Sequence, residues 1–217
     1  MANLTVDIAG SGPGKVLLAG HFDGKVLEGM RFVGANDGGS SAALLLEMAR
    51  CLAAHPPPCD VMLAFFDGEE ALVEWSDRDS LYGSKNLALE LRASGALREV
   101  RAMVVVDMIG DADLHLLRET LSTPWVQQVL MESALSSGHG ALWSGPRAAI
   151  EDDHLPFLQS GVPAAVMIDL NYGPKGGGNE YWHTEQDTLD KLSPASLQAV
   201  GETVLNALPA LCRGKRD

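Results

Sequence analysis

The chain is short of positive charge. Lys and Arg number 16 against 29 Asp and Glu, a formal net charge of −13 over 217 residues. Binding to a nucleic-acid backbone needs a basic face. The few cations here are scattered, apart from Arg213, Lys215 and Arg216 at a C-terminus that reads as frayed. Long apolar runs are missing too. Stretches such as residues 102–106 fall far below the ~20 residues of a membrane span, so no membrane partner is expected. Cysteine is scarce: Cys51, Cys59 and Cys212 cannot all pair with one another. An odd count without regular spacing favours reduced thiols and a cytoplasmic address. The first six residues lack the basic start and apolar stretch of a secretory signal; a secreted or periplasmic address would follow only if the chain began further upstream. No repeat, low-complexity tract or linker divides the chain, which reads as one domain over 1–217.

What is present suits a globular α/β protein. Apolar residues make up 46% and charged residues 21%, enough to build a core without disulfides or a structural metal. Strands are expected at Leu4–Ile8 and residues 15–19, joined by the turn cluster Gly10 to Gly14, and at Asp60–Phe66, residues 101–109 and residues 162–168. Helices are expected at residues 41–54, 82–93, 124–135 and 153–159. The last helix is signalled by Ser193 as cap, Pro194 at its first position and an apolar stripe of Leu197, Val200, Val204 and Leu208. Uniformly apolar strands alternating with helices imply an α/β fold, a mostly parallel sheet covered on both faces.

Ligands of such sheets bind beyond the carboxyl ends of the strands, and the polar residues fall there. One strand runs into Gly20-His21-Phe22-Asp23, another into Asp67-Gly68-Glu69-Glu70, and a third into Asp107. The last leads to Trp182-His183, and Asp37 stands directly before a helix. His21, Asp37, Glu70, Asp107 and His183 are thus five potential metal ligands on separate connections. Singly, each has a plain reading. An Asp before a helix is commonly an N-cap, a Glu-Glu pair a solvated surface, a lone His a surface or core residue; His55 and His139 keep that reading. Asp107 is harder to dismiss, because a carboxylate ending an apolar strand needs a partner or a cation. Their joint placement favours a site.

Longer motifs point to a family. Phe65-Phe66-Asp67-Gly68-Glu69-Glu70, Trp75, Asp79-Ser80-Leu81-Tyr82-Gly83-Ser84, Glu151-Asp152-Asp153-His154-Leu155-Pro156-Phe157 and Trp182-His183-Thr184 closely resemble the animal-type glutaminyl cyclases (glutaminyl-peptide cyclotransferases), relatives of the two-metal zinc aminopeptidases. The resemblance runs from about Leu4 to the last helix. In the aminopeptidases a Gly-Leu-x-Gly-Ser element follows the Glu-Glu pair almost at once; here residues 71–80 intervene, as in a cyclase.

The resemblance implies a three-layer αβα sandwich around a mostly parallel mixed sheet. It implies one Zn2+ held by Asp37, Glu70 and His183, with Glu69 as general acid/base and Asp107 and Asp152 as hydrogen-bonding carboxylates. Trp75 and Trp182 would line the substrate pocket. Glu151, where the animal enzymes usually have an amide, would add negative charge to it. The substrate would be a peptide or protein with N-terminal Gln, the products a pyroglutamyl end and ammonia. A cis peptide at Asp37–Gly38 is implied as well. Some features depart from the family. It usually has a longer section before the segment like Leu4–Ile8. The positions of a disulfide in the animal enzymes are Gly20 and Ala42 here. An aromatic expected before Trp182 gives way to the glycine-rich residues 172–180. Two other readings stand beside the cyclase: a zinc aminopeptidase using His21 and Asp107 for a second metal, and a non-catalytic binding protein on the same fold.

Overall fold

The computed structural model describes residues 1–174 and 178–215; Arg216 and the centre of the glycine-rich stretch lie outside them. The chain builds β1 (Leu4–Ile8), β2 (Lys15–His21), α1 (Gly39–Ala54), β3 (Asp60–Phe66), α2 (Tyr82–Ser94) and β4 (Val100–Asp107). There follow β5 (Arg118–Glu119), α3 (Pro124–Ser136), β6 (Arg147–Ala148), α4 (Leu155–Gln159), β7 (Ala164–Ile168) and α5 (Pro194–Arg213). The main sheet has the order β1-β3-β2-β4-β7. All its pairings are parallel except that of β1, which runs antiparallel along β3. The turn cluster after β1 therefore closes no hairpin, since β3 lies between β1 and β2.

Side chains alternate across a strand with period two, and both faces here are apolar. Val16, Leu18, Leu63, Val104 and Met167 pack against Leu45, Leu130 and Val204 of α1, α3 and α5. Leu17, Ala19, Met62, Val105 and Val166 face the other way, against Leu87 of α2 and Phe157 of α4. Helices on both faces of a mixed, mostly parallel sheet make the three layers. At α5, Ser193 accepts a hydrogen bond from the Ala195 N–H at 3.2 Å and Pro194 occupies the first turn, as its sequence signals imply.

Several expectations need correction; among them, β2 runs on to His21 and β7 begins only at Ala164. β4 stops at Asp107 rather than residue 109, because Met108 takes a φ of +49°, which breaks a strand. α4 begins at Leu155 rather than 153, with Pro156 in its first turn, where a missing N–H costs nothing. The cysteines are not all reduced. Cys59, just before β3, and Cys212, in the last turn of α5, form a disulfide across 153 residues, leaving Cys51 free. The odd count concealed one pair plus one thiol, and the cysteine argument for a reducing compartment falls with it. The pair β5–β6 was also unforeseen; two residues a side are too few to show a period.

Candidate metal centre and active-site pocket

The parallel strands deliver their ends to one side. β2 ends on His21, preceded by Gly20, where a Cβ would stand 2.7 Å from both Ser41 Cβ and Val106 O; only glycine lets the strand pass this close to α1 and β4. Asp37 precedes α1, but it is no N-cap. That position belongs to Gly38, which makes no side-chain cap, so the Asp37 carboxylate is free to face inward. The expected cis bond at Asp37–Gly38 is not found: the described peptide bonds are all trans. Gly38 makes the turn with a φ of +82° instead, and a Cβ on it would meet Asp23 O at 2.7 Å.

His183 Nε2 lies 2.8 Å from Glu70 Oε1 and 3.1 Å from Asp37 Oδ2. One ring N–H can serve only one of these oxygens, and Asp37 Oδ2 is buried without a hydrogen bond. Donor atoms of Asp37, Glu70 and His183 all lie within 4.8 Å of one another, so a cation would satisfy the set. Two carboxylates and an imidazole suit a divalent metal with one tetrahedral position left open. His183 holds a φ of +55°, rare for a residue with a side chain, and its ring stacks on Trp182 at 4.0 Å. His21, Asp37 and Asp107 form a second such group, with His21 Nε2 at 3.1 Å from both carboxylates.

Asp37, Glu69, Glu70, Trp75, Asp107, Glu151, Asp152, Trp182 and His183 line a single cavity of about 340 Å³. All the residues assigned to a site from sequence therefore meet, and His21 lies behind them, 2% exposed. Burial pushes the Glu69 carboxyl well above its ordinary range; His21 opposes this, while Asp153, Asp152 and Asp107 reinforce it. Burial likewise raises Asp107 to about 7 against the pull of His21, and raises Asp152. Burial alone would lower His183, but the Asp37 and Glu70 carboxylates outweigh it and hold the ring at about 9. Such crowding of acid groups is the environment in which a carboxyl can take and return protons near neutrality.

Three supporting carboxylates escaped sequence reasoning. Asp23 accepts the backbone N–H groups of Glu69 and Glu70, each at 3.1 Å, and so fixes the adjacent pair. Asp187 accepts those of Asn36 at 2.7 Å and Asp37 at 3.1 Å. Glu119, 2% exposed, gathers the N–H groups of Leu121, Ser122 and Ile150 and lies 3.5 Å from His154 Nε2. Asp23 stood in the His21 motif and Asp187 four residues after His183, but nothing local shows which distant backbone each one holds.

Similarity to known proteins agrees with this geometry. Residues 3–208 match the model of peptidase family M28. A solved glutaminyl cyclase from an Acidobacteriales bacterium is 43% identical, superposes with a TM-score of 0.93, and covers 97% of this chain and 73% of its own. That of Porphyromonas gingivalis is 28% identical with a TM-score of 0.82, covering 96% and 76%. The glutaminyl-peptide cyclotransferase of Drosophila melanogaster is 29% identical over 206 residues, 83% of this chain and 56% of the relative. The chain thus spans little more than half the length of that relative. By the match over nearly its whole length and by its fold, the chain belongs to peptidase family M28, among relatives that are glutaminyl cyclases.

Proposed function

We propose that this protein is a glutaminyl-peptide cyclotransferase, closing N-terminal Gln to pyroglutamate with release of ammonia, and that it holds one zinc through Asp37, Glu70 and His183. The observation that carries the reading is the divergence of two adjacent carboxylates. Glu70 turns to the His183 ring at 2.8 Å, while Glu69 lines the cavity beside Asp107 and Asp152. The names of the relatives supply the substrate class.

Bound zinc would polarise the side-chain carbonyl of the substrate. The rest falls to the chain's own residues. Trp75 and Trp182 offer apolar walls that fold the Gln side chain back toward its own α-amine, and closure of a five-membered ring within one molecule gains most from such positioning. Glu69 takes the proton of the attacking amine and returns it to the departing amide nitrogen, which leaves as ammonia. Burial keeps that carboxyl's affinity for a proton high, and Asp153, Asp152 and Asp107 add to it. Glu151 adds negative charge to the cavity wall.

One observation favours a second reading. His21, Asp37 and Asp107 repeat the ligand arrangement with Asp37 shared, which is what a two-metal aminopeptidase would use. A single experiment separates the two. Purified protein is incubated with a Gln-initiated peptide and with an aminoacyl amide, and products are read by mass spectrometry alongside bound-metal analysis. Loss of one ammonia from the peptide with about one zinc per chain supports cyclisation; release of the N-terminal residue with two tightly held ions supports hydrolysis.

A further inference from the structure

The two segments that supply Asp37 and His183 are far apart in the chain and joined through one residue. Asp187, fully buried, lies four positions after His183 on the same connection. Three consecutive backbone N–H groups of the Asp37 segment donate to it: Ala35 to its carbonyl oxygen at 3.4 Å, Asn36 to Oδ1 at 2.7 Å and Asp37 to Oδ2 at 3.1 Å. The hydroxyl of Tyr172, also fully buried, donates to Oδ1 at 2.8 Å and fixes the carboxylate from behind. Both oxygens are thus committed, and neither faces the cavity.

We propose that Asp187 is a positioning residue for the metal, joining the Asp37 and His183 segments into one unit before an ion arrives and thereby setting how tightly that ion is held. The argument rests on the zinc site proposed above but not on the reaction performed there. Ligands held in place by the fold lose little freedom on binding a cation, and residues outside the coordination shell that orient ligands typically govern affinity by about 10–100-fold. An amide cannot replace this carboxylate. Whichever way it is turned, its NH2 group confronts the Asp37 N–H or the Asn36 N–H, and one of the ties breaks.

Zinc affinity and dissociation rate are measured with a chromophoric chelator for the wild type, D187N and Y172F. D187N should bind zinc about 10–100-fold more weakly, mainly through faster loss of the ion, and excess zinc should restore its turnover. That rescue sets a positioning role apart from a collapsed site. Y172F leaves the backbone ties and should fall at the low end, about tenfold. Folded D187N that holds zinc as tightly as the wild type overturns the proposal. Should D187N fail to fold, Y172F decides it: weaker binding supports the role, and unchanged binding refutes it. A wild type that takes up no zinc sinks the metal reading itself. That result differs from a failure of the Asp187 proposal, in which all three proteins bind alike, and neither outcome bears on which reaction is catalysed.

Discussion

Trp75 donates its indole N–H to Glu151 Oε2 at 3.0 Å, joining two residues that line the candidate-site cavity. The bond ties the 71–80 insertion to the segment that carries Asp152. Trp75→Phe keeps an aromatic wall and removes the donor. A hydrogen bond of this kind contributes about 1 kcal/mol, so kcat/KM on a Gln-initiated peptide should fall about fivefold, through KM. Steady-state kinetics check this, and an unchanged KM would mean that the bond does not shape the pocket.

Glu69 and Glu70 are neighbours to which the proposed mechanism gives different tasks, so the same substitution should separate them. Glu69→Gln should leave zinc content and fold nearly intact while kcat drops about 10²–10⁴-fold, the usual worth of general acid/base catalysis. Glu70→Gln weakens a ligand, so metal and activity should fall together. Metal analysis beside single-turnover rates makes the comparison. Zinc lost from the first variant and kept by the second would reverse the two assignments.

Glu119 does not line the cavity and makes acid stability readable. Burial would raise its carboxyl, but His154 and the surrounding donors outweigh burial and hold it at about 2. A carboxyl depressed in the folded state stabilises the fold above its ordinary unfolded value, and that contribution is lost as pH falls toward about 2. Glu119→Gln should therefore cost about 1–3 kcal/mol near neutrality, because buried N–H groups lose an acceptor. Urea unfolding at about pH 6 and about pH 3 should show the gap between variant and wild type narrowing on acidification. A constant gap would mean that the charge of Glu119 contributes nothing.

The Cys59–Cys212 disulfide anchors the end of α5 to the start of β3. Removing a native bridge over so long a loop typically costs about 2–5 kcal/mol. Cys212→Ser, or reduction of the wild type, should lower the melting temperature without changing zinc content, since neither cysteine lines the cavity. Differential scanning calorimetry with and without reductant tests it; identical melting curves would mean that the pair contributes no stability.

Some residues that touch the cavity were legible from their joint placement beyond the strand ends, and Trp75, Glu151, Asp152 and Trp182 only through the family motifs that contain them. Glu69, Glu70 and Asp107 stood at strand ends and His183 on the connection after the last strand, and a sheet covered on both faces followed from the strands' uniform apolarity. What stayed hidden acts at long range. Asp23 serves backbone groups 46 and 47 residues away, and Asp187 serves groups 150 and 151 residues away. A carboxylate that accepts a distant N–H looks in sequence like any surface acid. The disulfide was hidden for the same reason, and the trans turn at Gly38 because a glycine at positive φ offers a second way to make the corner.

That same disulfide divides the molecule in a way the fold does not show. It closes the chain from Cys59 to Cys212 into a covalent ring, with the stretch before Cys59 as a tail. Glu69, Glu70, Asp107, Asp152 and His183 ride on the ring, while His21 and Asp37 belong to the tail. A protease that cuts the ring once opens it without releasing a piece, and those five side chains stay on one covalent body. A cut between Asp37 and Cys59 instead leaves Asp37, the proposed ligand, attached to the rest by non-covalent contacts alone. The proteolytic vulnerability of the site is therefore one-sided, concentrated in α1 and the proline-rich turn that follows it.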